Sequence, residues 1–113
     1  IPHGMGYPLS HYKRVNHGIA CAAFLGEYLK GFHDQSLVLP IANACGFVDT
    51  DAFAAYLREI VRQELHITVT MEEIEKWTDD FMKLDFRLAS NPEPLRREDI
   101  RRIYINSLRP CLT

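Results

Sequence analysis

Two histidine–glycine pairs, His3-Gly4 and His17-Gly18, are the residues whose types and spacing best fit a chemical role. A neutral imidazole is the commonest metal ligand, and a glycine beside it lets a helix or a ligand come close. Two histidines do not complete a catalytic metal site, which normally has three or more protein ligands and an open position. The spacing alone therefore favours an ordinary core or surface pair over metal ligands.

The other three histidines are predicted to be surface residues. His11 is expected in a polar connection after Pro8, His33 in a solvated loop, and His66 between two helices. The sequence has no glycine-rich phosphate loop after a strand, no GxSxG and no HExxH. The candidate metal-binding or catalytic residues considered so far therefore lie within the first eighteen residues.

Composition narrows the class of protein. The chain has 113 residues, of which 47% are hydrophobic and 25% charged, as in one soluble globular domain. Its net charge of -2 argues against a large nucleic-acid-binding face, and the longest apolar run, GIACAAFLG, is too short to span a bilayer. Three cysteines without a CxxC motif indicate reduced thiols. We expect a cytoplasmic protein that binds neither nucleic acid nor membranes.

Helical patterns dominate the rest of the chain and predict an all-α, bundle-like domain. His3 is expected to close one helix and His17 to open the next, with a turn between them. Thr70 and Glu73 form a capping-box pattern, and Pro92 and Pro94 mark a turn. The stretch 66–70 is predicted to be a connector. Helical segments are predicted at 17–32, 37–47, 49–65, 70–84 and 97–108, with Gly31 available to end the first. Tyr56 is predicted on the apolar face of 49–65, and Ile100, Ile103, Tyr104 and Leu108 on that of 97–108.

Two stretches together resemble the iron-containing (group III) alcohol dehydrogenase family. The first is HGMGYPLSHYKRVNHGIACAAFL, which is similar to the family pattern His-Gly/Ala-x-x-[His/Tyr]-Pro-Leu followed by Pro-His-Gly-x-Ala-Cys/Asn-Ala. The spacing of His3 and His17 is the family's own. The second is DFRLASNPEPLRREDIRRIYINSL, which resembles the family's closing segment, where an Asn-Pro-x-Pro turn leads into a Glu-Asp-Ile helix.

The resemblance implies a fold and an activity. Family members have a nucleotide-binding domain and a C-terminal, dehydroquinate-synthase-like helical domain. A divalent metal, usually Fe2+ and sometimes Zn2+, is held by one Asp and three His, of which the last two match His3 and His17. The implied protein is an NAD- or NADP-linked alcohol dehydrogenase or aldehyde reductase acting on a small-molecule alcohol or aldehyde. We expect residues 1–113 to be a C-terminal fragment of that helical domain, without the nucleotide-binding domain and inactive alone.

Three positions depart from the family pattern. Tyr7 replaces a histidine that lies near the nicotinamide in many members, so its hydroxyl is a candidate catalytic group, with simple packing equally weighted. Asn16 replaces the proline before the second ligand and can cap the following helix. Arg87 replaces a frequent cysteine at the substrate pocket, where an arginine would favour an acidic substrate such as a carboxylate or phosphonate. A solvated Arg87 is the favoured alternative.

Two other functions stay open. The chain could be a non-catalytic helical interaction module that presents HGIACAAFLGEYL to a partner. It could also belong to a zinc-dependent, glycerol-dehydrogenase-like branch of the same superfamily. Under the fragment hypothesis part of an apolar face loses its partner, so we expect a homo-oligomer.

Overall fold

The chain folds into helices joined by short connections. The computed structural model describes residues 2–83 and 91–113, without the side chain of His3. These residues contain no β-strand, only an isolated bridge between Val69 and Leu112, so the all-α prediction is confirmed. The helices are α1 (Pro2–Lys13), α2 (His17–Lys30), α3 (Leu39–Ala44), α4 (Thr50–Glu64), α5 (Met71–Met82) and α6 (Arg97–Leu108).

Local capping sets most helix boundaries where the sequence predicts them. Asp49 accepts a hydrogen bond from the Ala52 amide at the start of α4, at 2.8 Å. Thr70 and Glu73 form the predicted capping box at the start of α5, with both backbone bonds at 3.1 Å. Gly31 ends α2 as expected. No helix in the described part of the chain is long and apolar enough to cross a bilayer.

Helix α1 corrects the prediction for the first motif. It runs without a break from Pro2 to Lys13, so His3 lies in its first turn and does not close a helix, and His11 is helical. Pro8 removes one backbone donor inside this helix, which usually breaks it. Buried Met5 and Leu9 offset that cost, and the buried Tyr104 hydroxyl donates a hydrogen bond to the Met5 carbonyl at 3.1 Å. Contacts with distant residues therefore stabilise a helix that Pro8 disfavours.

Helix α2 lies at the centre of the fold and packs against α1, α4 and α6. Small residues allow two of these contacts to be very close. A Cβ added at Gly6 would lie 3.0 Å from the Ala20 carbonyl carbon, and one at Gly26 would lie 3.0 Å from Ala54 Cα. The second contact buries Ala54. Tyr56, predicted on the apolar face of α4, is 52% exposed, so that prediction is wrong.

The core has two parts. A smaller cluster covers the end of α2 with Leu29, Phe32, Val38, Ala42 and Phe53. The larger cluster joins α1 and α2 to α5 and α6, and its bulkiest members are Met5, Leu9, Phe24, Leu65, Ile74, Trp77, Phe81, Ile100, Ile103, Tyr104 and Leu108. The predicted apolar stripe of α6 is buried in full, and α6 packs against α2 and α5.

Candidate functional site

The two histidine–glycine pairs lie on a helical hairpin made by α1 and α2. Only residues 14–16 separate these helices, and the Val15 amide donates to the Leu9 carbonyl at 3.1 Å across the turn. His3 lies three residues before Gly6, and His17 lies three residues before Ala20. Gly6 and Ala20 mark the close contact of the two helices, and each histidine position lies one helical turn from it, His3 on the side away from the connection 14–16 and His17 on the side next to it.

The backbone at His17 is fixed by a side-chain cap. Asn16 is the N-cap of α2, and its Oδ1 accepts hydrogen bonds from the amides of Gly18 at 2.9 Å and Ile19 at 3.4 Å. The prediction that Asn16 caps the helix that begins at His17 is confirmed. Gly18 thus serves the cap, and the close approach of two helices that a glycine was expected to permit occurs at Gly6.

The His17 ring lies beside a thiol on the next turn of α2. Its Nε2 is 3.6 Å from Cys21 Sγ, and His17 is exposed while Cys21 is half-buried. Burial raises the pKa of the Cys21 thiol, which favours its protonated form at neutral pH. Cys21 was not among the predicted site residues, although a His-x-x-x-Cys spacing on a predicted helix places both side chains on one face.

The donor chemistry of this pair fits a divalent metal without completing a site. An imidazole nitrogen and a cysteine sulfur are both ligands of zinc, whose protein sites usually have three or four such donors. Among the side chains that the structure describes, no group of three His, Cys, Asp or Glu is placed to hold a metal ion. The side chain of His3 is not among them. Further ligands are needed for a complete centre.

Tyr7 lies on the surface of α1 and is 63% exposed. It stacks on His11, with ring centroids 5.8 Å apart, and His11 in turn contacts Tyr12 edge to face at 4.7 Å. His11 is therefore exposed, as predicted, but it belongs to an aromatic row on a helix. His33 and His66 are exposed in connections, and these two predictions are confirmed.

Tyr7 also lines an open cleft of about 290 Å³ beside the histidine hairpin. Among the described residues of this lining, the only carboxylate belongs to Asp80, which accepts a hydrogen bond from Lys76 Nζ at 2.7 Å, and this bond lowers the pKa of Asp80. No sequence signal marks the cleft, because three separate helices supply its walls. They contribute Gly4, Tyr7, Pro8 and Tyr12 from α1, Trp77, Asp80 and Phe81 from α5, and Tyr104 from α6.

Arg87, the expected substrate-pocket residue, lies outside the described residues. No protein-family model, curated protein or solved structure matches this chain. The resemblance to iron-containing alcohol dehydrogenases therefore depends on the two sequence motifs, and membership of that family stays a prediction.

Proposed function

We propose that this chain is the C-terminal part of the helical domain of a metal-dependent, NAD(P)-linked alcohol dehydrogenase or aldehyde reductase. In this proposal His3 and His17 are two of the metal ligands. The observation that supports it most directly is the hairpin, which packs the helix that carries His3 closely against the helix that begins at His17, with Gly6 and Ala20 at the contact. The dehydroquinate-synthase-like identity of the domain belongs to the same proposal.

The chain's own residues would hold and orient the metal. When bound, the metal, iron or zinc, supplies a Lewis acid for the substrate oxygen, and the nicotinamide carries the hydride. His17 would donate an imidazole nitrogen to the metal from an exposed ring, and the Asn16 cap fixes the backbone at His17. Tyr7 presents its ring to the neighbouring cleft, where its hydroxyl is available to hold or pass on a proton.

The interaction-module alternative is less compatible with the position of α2. Its apolar residues, Ala20, Ala23, Phe24 and Leu29, are buried within this chain, so they are not a surface for a partner. A sequence test separates the two functions further. In a longer protein containing this chain, the enzyme hypothesis predicts an upstream Asp-x-x-x-His pair and a glycine-rich nucleotide-binding segment. The interaction module predicts neither.

Metal binding by the purified chain tests the ligand assignment. Calorimetric titration with Zn2+ should give weak binding, and His3→Gln or His17→Gln should weaken it by at least about tenfold, since even partners of ligands contribute that much. His33→Gln is the matched control, because His33 is exposed in a distant loop. Equal affinity in all four proteins would contradict the assignment. The chain alone should show no NAD(P)-linked turnover, and robust turnover would overturn the proposal.

Substrate charge tests the role proposed for Arg87. If its guanidinium faces the pocket, the intact enzyme should prefer aldehydes that carry an acidic group, and Arg87→Ala should remove that preference. Equal selectivity of the two enzymes would exclude Arg87 from the pocket.

We also propose self-association. Three large apolar side chains around α3 are substantially exposed, namely Leu37 at 47%, Ile41 at 45% and Val48 at 81%. Exposed apolar patches usually mark interfaces. Light scattering should show a dimer or a larger assembly, and a monomer at every concentration would count against this proposal.

A further inference from the structure

We propose that a cavity between α2, α4 and the end of α6 binds a small apolar carboxylate, of the size of a medium-chain fatty acid. The hydrocarbon part of the ligand fills the cavity, and Arg58 and Arg62 hold its carboxylate at the rim. This inference does not depend on the proposed function, because it involves no metal ion and neither His3 nor His17.

Small residues leave this cavity open where α2 packs against α4. Gly26 and Ala54 mark the closest approach, since a Cβ added at Gly26 would lie 3.0 Å from Ala54 Cα. Ala22 and Ala23, one turn earlier on α2, continue the same lining. The resulting cavity has a volume of about 260 Å³. Protein interiors have few voids larger than a water molecule, so a cavity of this size is large enough for a ligand.

The body of the cavity is apolar. Its walls include Leu57, Val61 and Leu65 of α4, and Ile67 from the connection that follows. Cys111 also contributes to the lining, and burial raises the pKa of its thiol, so this side chain adds no negative charge at neutral pH. Such a surface favours a hydrocarbon over water.

Two guanidinium groups lie at the mouth of the cavity. Arg58 and Arg62 are four residues apart on α4, which places them on one face of the helix. Their side chains are 59% and 65% exposed, so a ligand reaches them from solvent. Arginine pairs with carboxylates through charge-assisted and often bidentate hydrogen bonds.

The ion pairs that these arginines already make leave donors for a ligand. Arg58 Nη2 lies 3.4 Å from Glu27, and Arg62 Nη2 lies 2.8 Å from Glu59. Each pair engages Nη2, whereas a guanidinium has five N–H donors. Surface ion pairs of this kind contribute little free energy, so a ligand carboxylate can share or replace them.

The charge of the lining favours an anion. Among the described residues that line the cavity, Glu27 carries the only carboxylate, against the two guanidinium groups of Arg58 and Arg62. Glu27 is also offset by Lys30, whose Nζ lies 3.8 Å away. The lining therefore attracts a carboxylate and disfavours a cationic head group.

The volume limits the length of the ligand. Drug-sized ligands occupy pockets of about 300–1,000 Å³, and a cavity of about 260 Å³ lies just below that range. At about 30 Å³ for each water-sized group, it holds about nine such groups. The tail of octanoate fits this space and leaves its carboxylate at the rim.

Titration of the purified chain with octanoate, followed by amide NMR spectra, tests the inference. The amides of Ala22, Gly26 and Val61 should shift and saturate, because these residues line the cavity. Octanol is the control ligand, since it has the same tail without the charge. Octanoate should bind at least about fivefold more tightly than octanol. Equal affinities, no shifts, or shifts confined to other parts of the chain would overturn the inference.

Variants of the rim test the arginines. The double variant Arg58→Gln with Arg62→Gln should abolish the preference for octanoate over octanol. Lys76→Gln is the matched control, because the Lys76 side chain is 65% exposed, like that of Arg62, and pairs with a carboxylate on another helix. It should keep the preference. A preference that survives in the double variant would overturn the inference.

A variant that fills the cavity tests its body. Ala22→Leu should weaken octanoate binding at least about tenfold, because the added side chain takes the space of several methylenes, each worth up to about fourfold in affinity. Ala55→Leu is the control, because Ala55 is exposed on α4, and it should bind octanoate as the wild type does. Unchanged affinity in Ala22→Leu would overturn binding within the cavity.

A series of carboxylates of different length tests the unmodified chain. From butanoate to octanoate the affinity should rise by up to about fourfold for each methylene, and it should level off once the tail exceeds about nine carbons. An affinity that does not depend on length, or one that still rises at hexadecanoate, would overturn the inference.

Discussion

Replacing Tyr104 with phenylalanine should change how the stability of this protein depends on pH. The Tyr104 side chain is fully buried between Phe24 and Trp77, and its hydroxyl donates to the Met5 carbonyl at 3.1 Å. This bond joins α6 to the helix that carries His3. Tyr104→Phe removes the bond and leaves the ring in place, so the free energy of unfolding at pH 7 should fall by about 1 kcal/mol.

The difference between the two proteins should reverse at alkaline pH. Burial, with a smaller contribution from the charge of Asp80, raises the pKa of Tyr104 well above its ordinary value. The stabilising contribution of a group with a raised pKa is complete below the unfolded pKa of about 10 and is lost as pH rises towards the folded pKa. Each further pH unit removes about 1.4 kcal/mol, so the stabilities should cross at about pH 10.5 to 11.

Urea unfolding followed by circular dichroism at several pH values would measure this difference. Tyr56→Phe is the control, because Tyr56 is 52% exposed and its hydroxyl lacks the burial of Tyr104. Its stability should follow that of the wild type across the whole range. If the gap between wild type and Tyr104→Phe stays constant from about pH 7 to 11, the assignment of the alkaline loss to Tyr104 is wrong.

Three smaller perturbations test contacts that position the hairpin, all measured by urea unfolding. Asn16→Ala should cost about 1 kcal/mol by removing the cap, and no change would contradict it. Gly6→Ala should cost about 1 kcal/mol, because crowding against Ala20 exceeds the gain in helix propensity, and stabilisation would contradict this. The hydrogen bond from Lys13 lowers the pKa of Glu73. The stabilising contribution of ionised Glu73 is therefore present above the ordinary glutamate pKa and is lost as pH falls. Glu73→Gln should flatten this acid dependence, and an unchanged pH profile would contradict it.

Much of the candidate site could be predicted where its determinants are local. The Asn16 cap and the start of α2 at His17 depend on residues within one turn, and both appear as predicted. The contact between His17 and Cys21 is equally local, and its four-residue spacing on a predicted helix would have been enough to indicate it, but Cys21 was not among the predicted site residues. The cleft beside Tyr7 could not be predicted, because its walls come from three helices and no sequence pattern relates them.

The sequence by itself determined the helical class, the starts of α4 and α5, and the buried stripe of α6. Caps and apolar periodicity act over a few residues, so composition and spacing determine them. Only the tertiary structure decided that α1 continues through Pro8, because the compensating contact comes from Tyr104, far along the chain. It also decided that Gly6 meets Ala20 and that Gly26 meets Ala54, since the space a glycine provides depends on which helix packs against it.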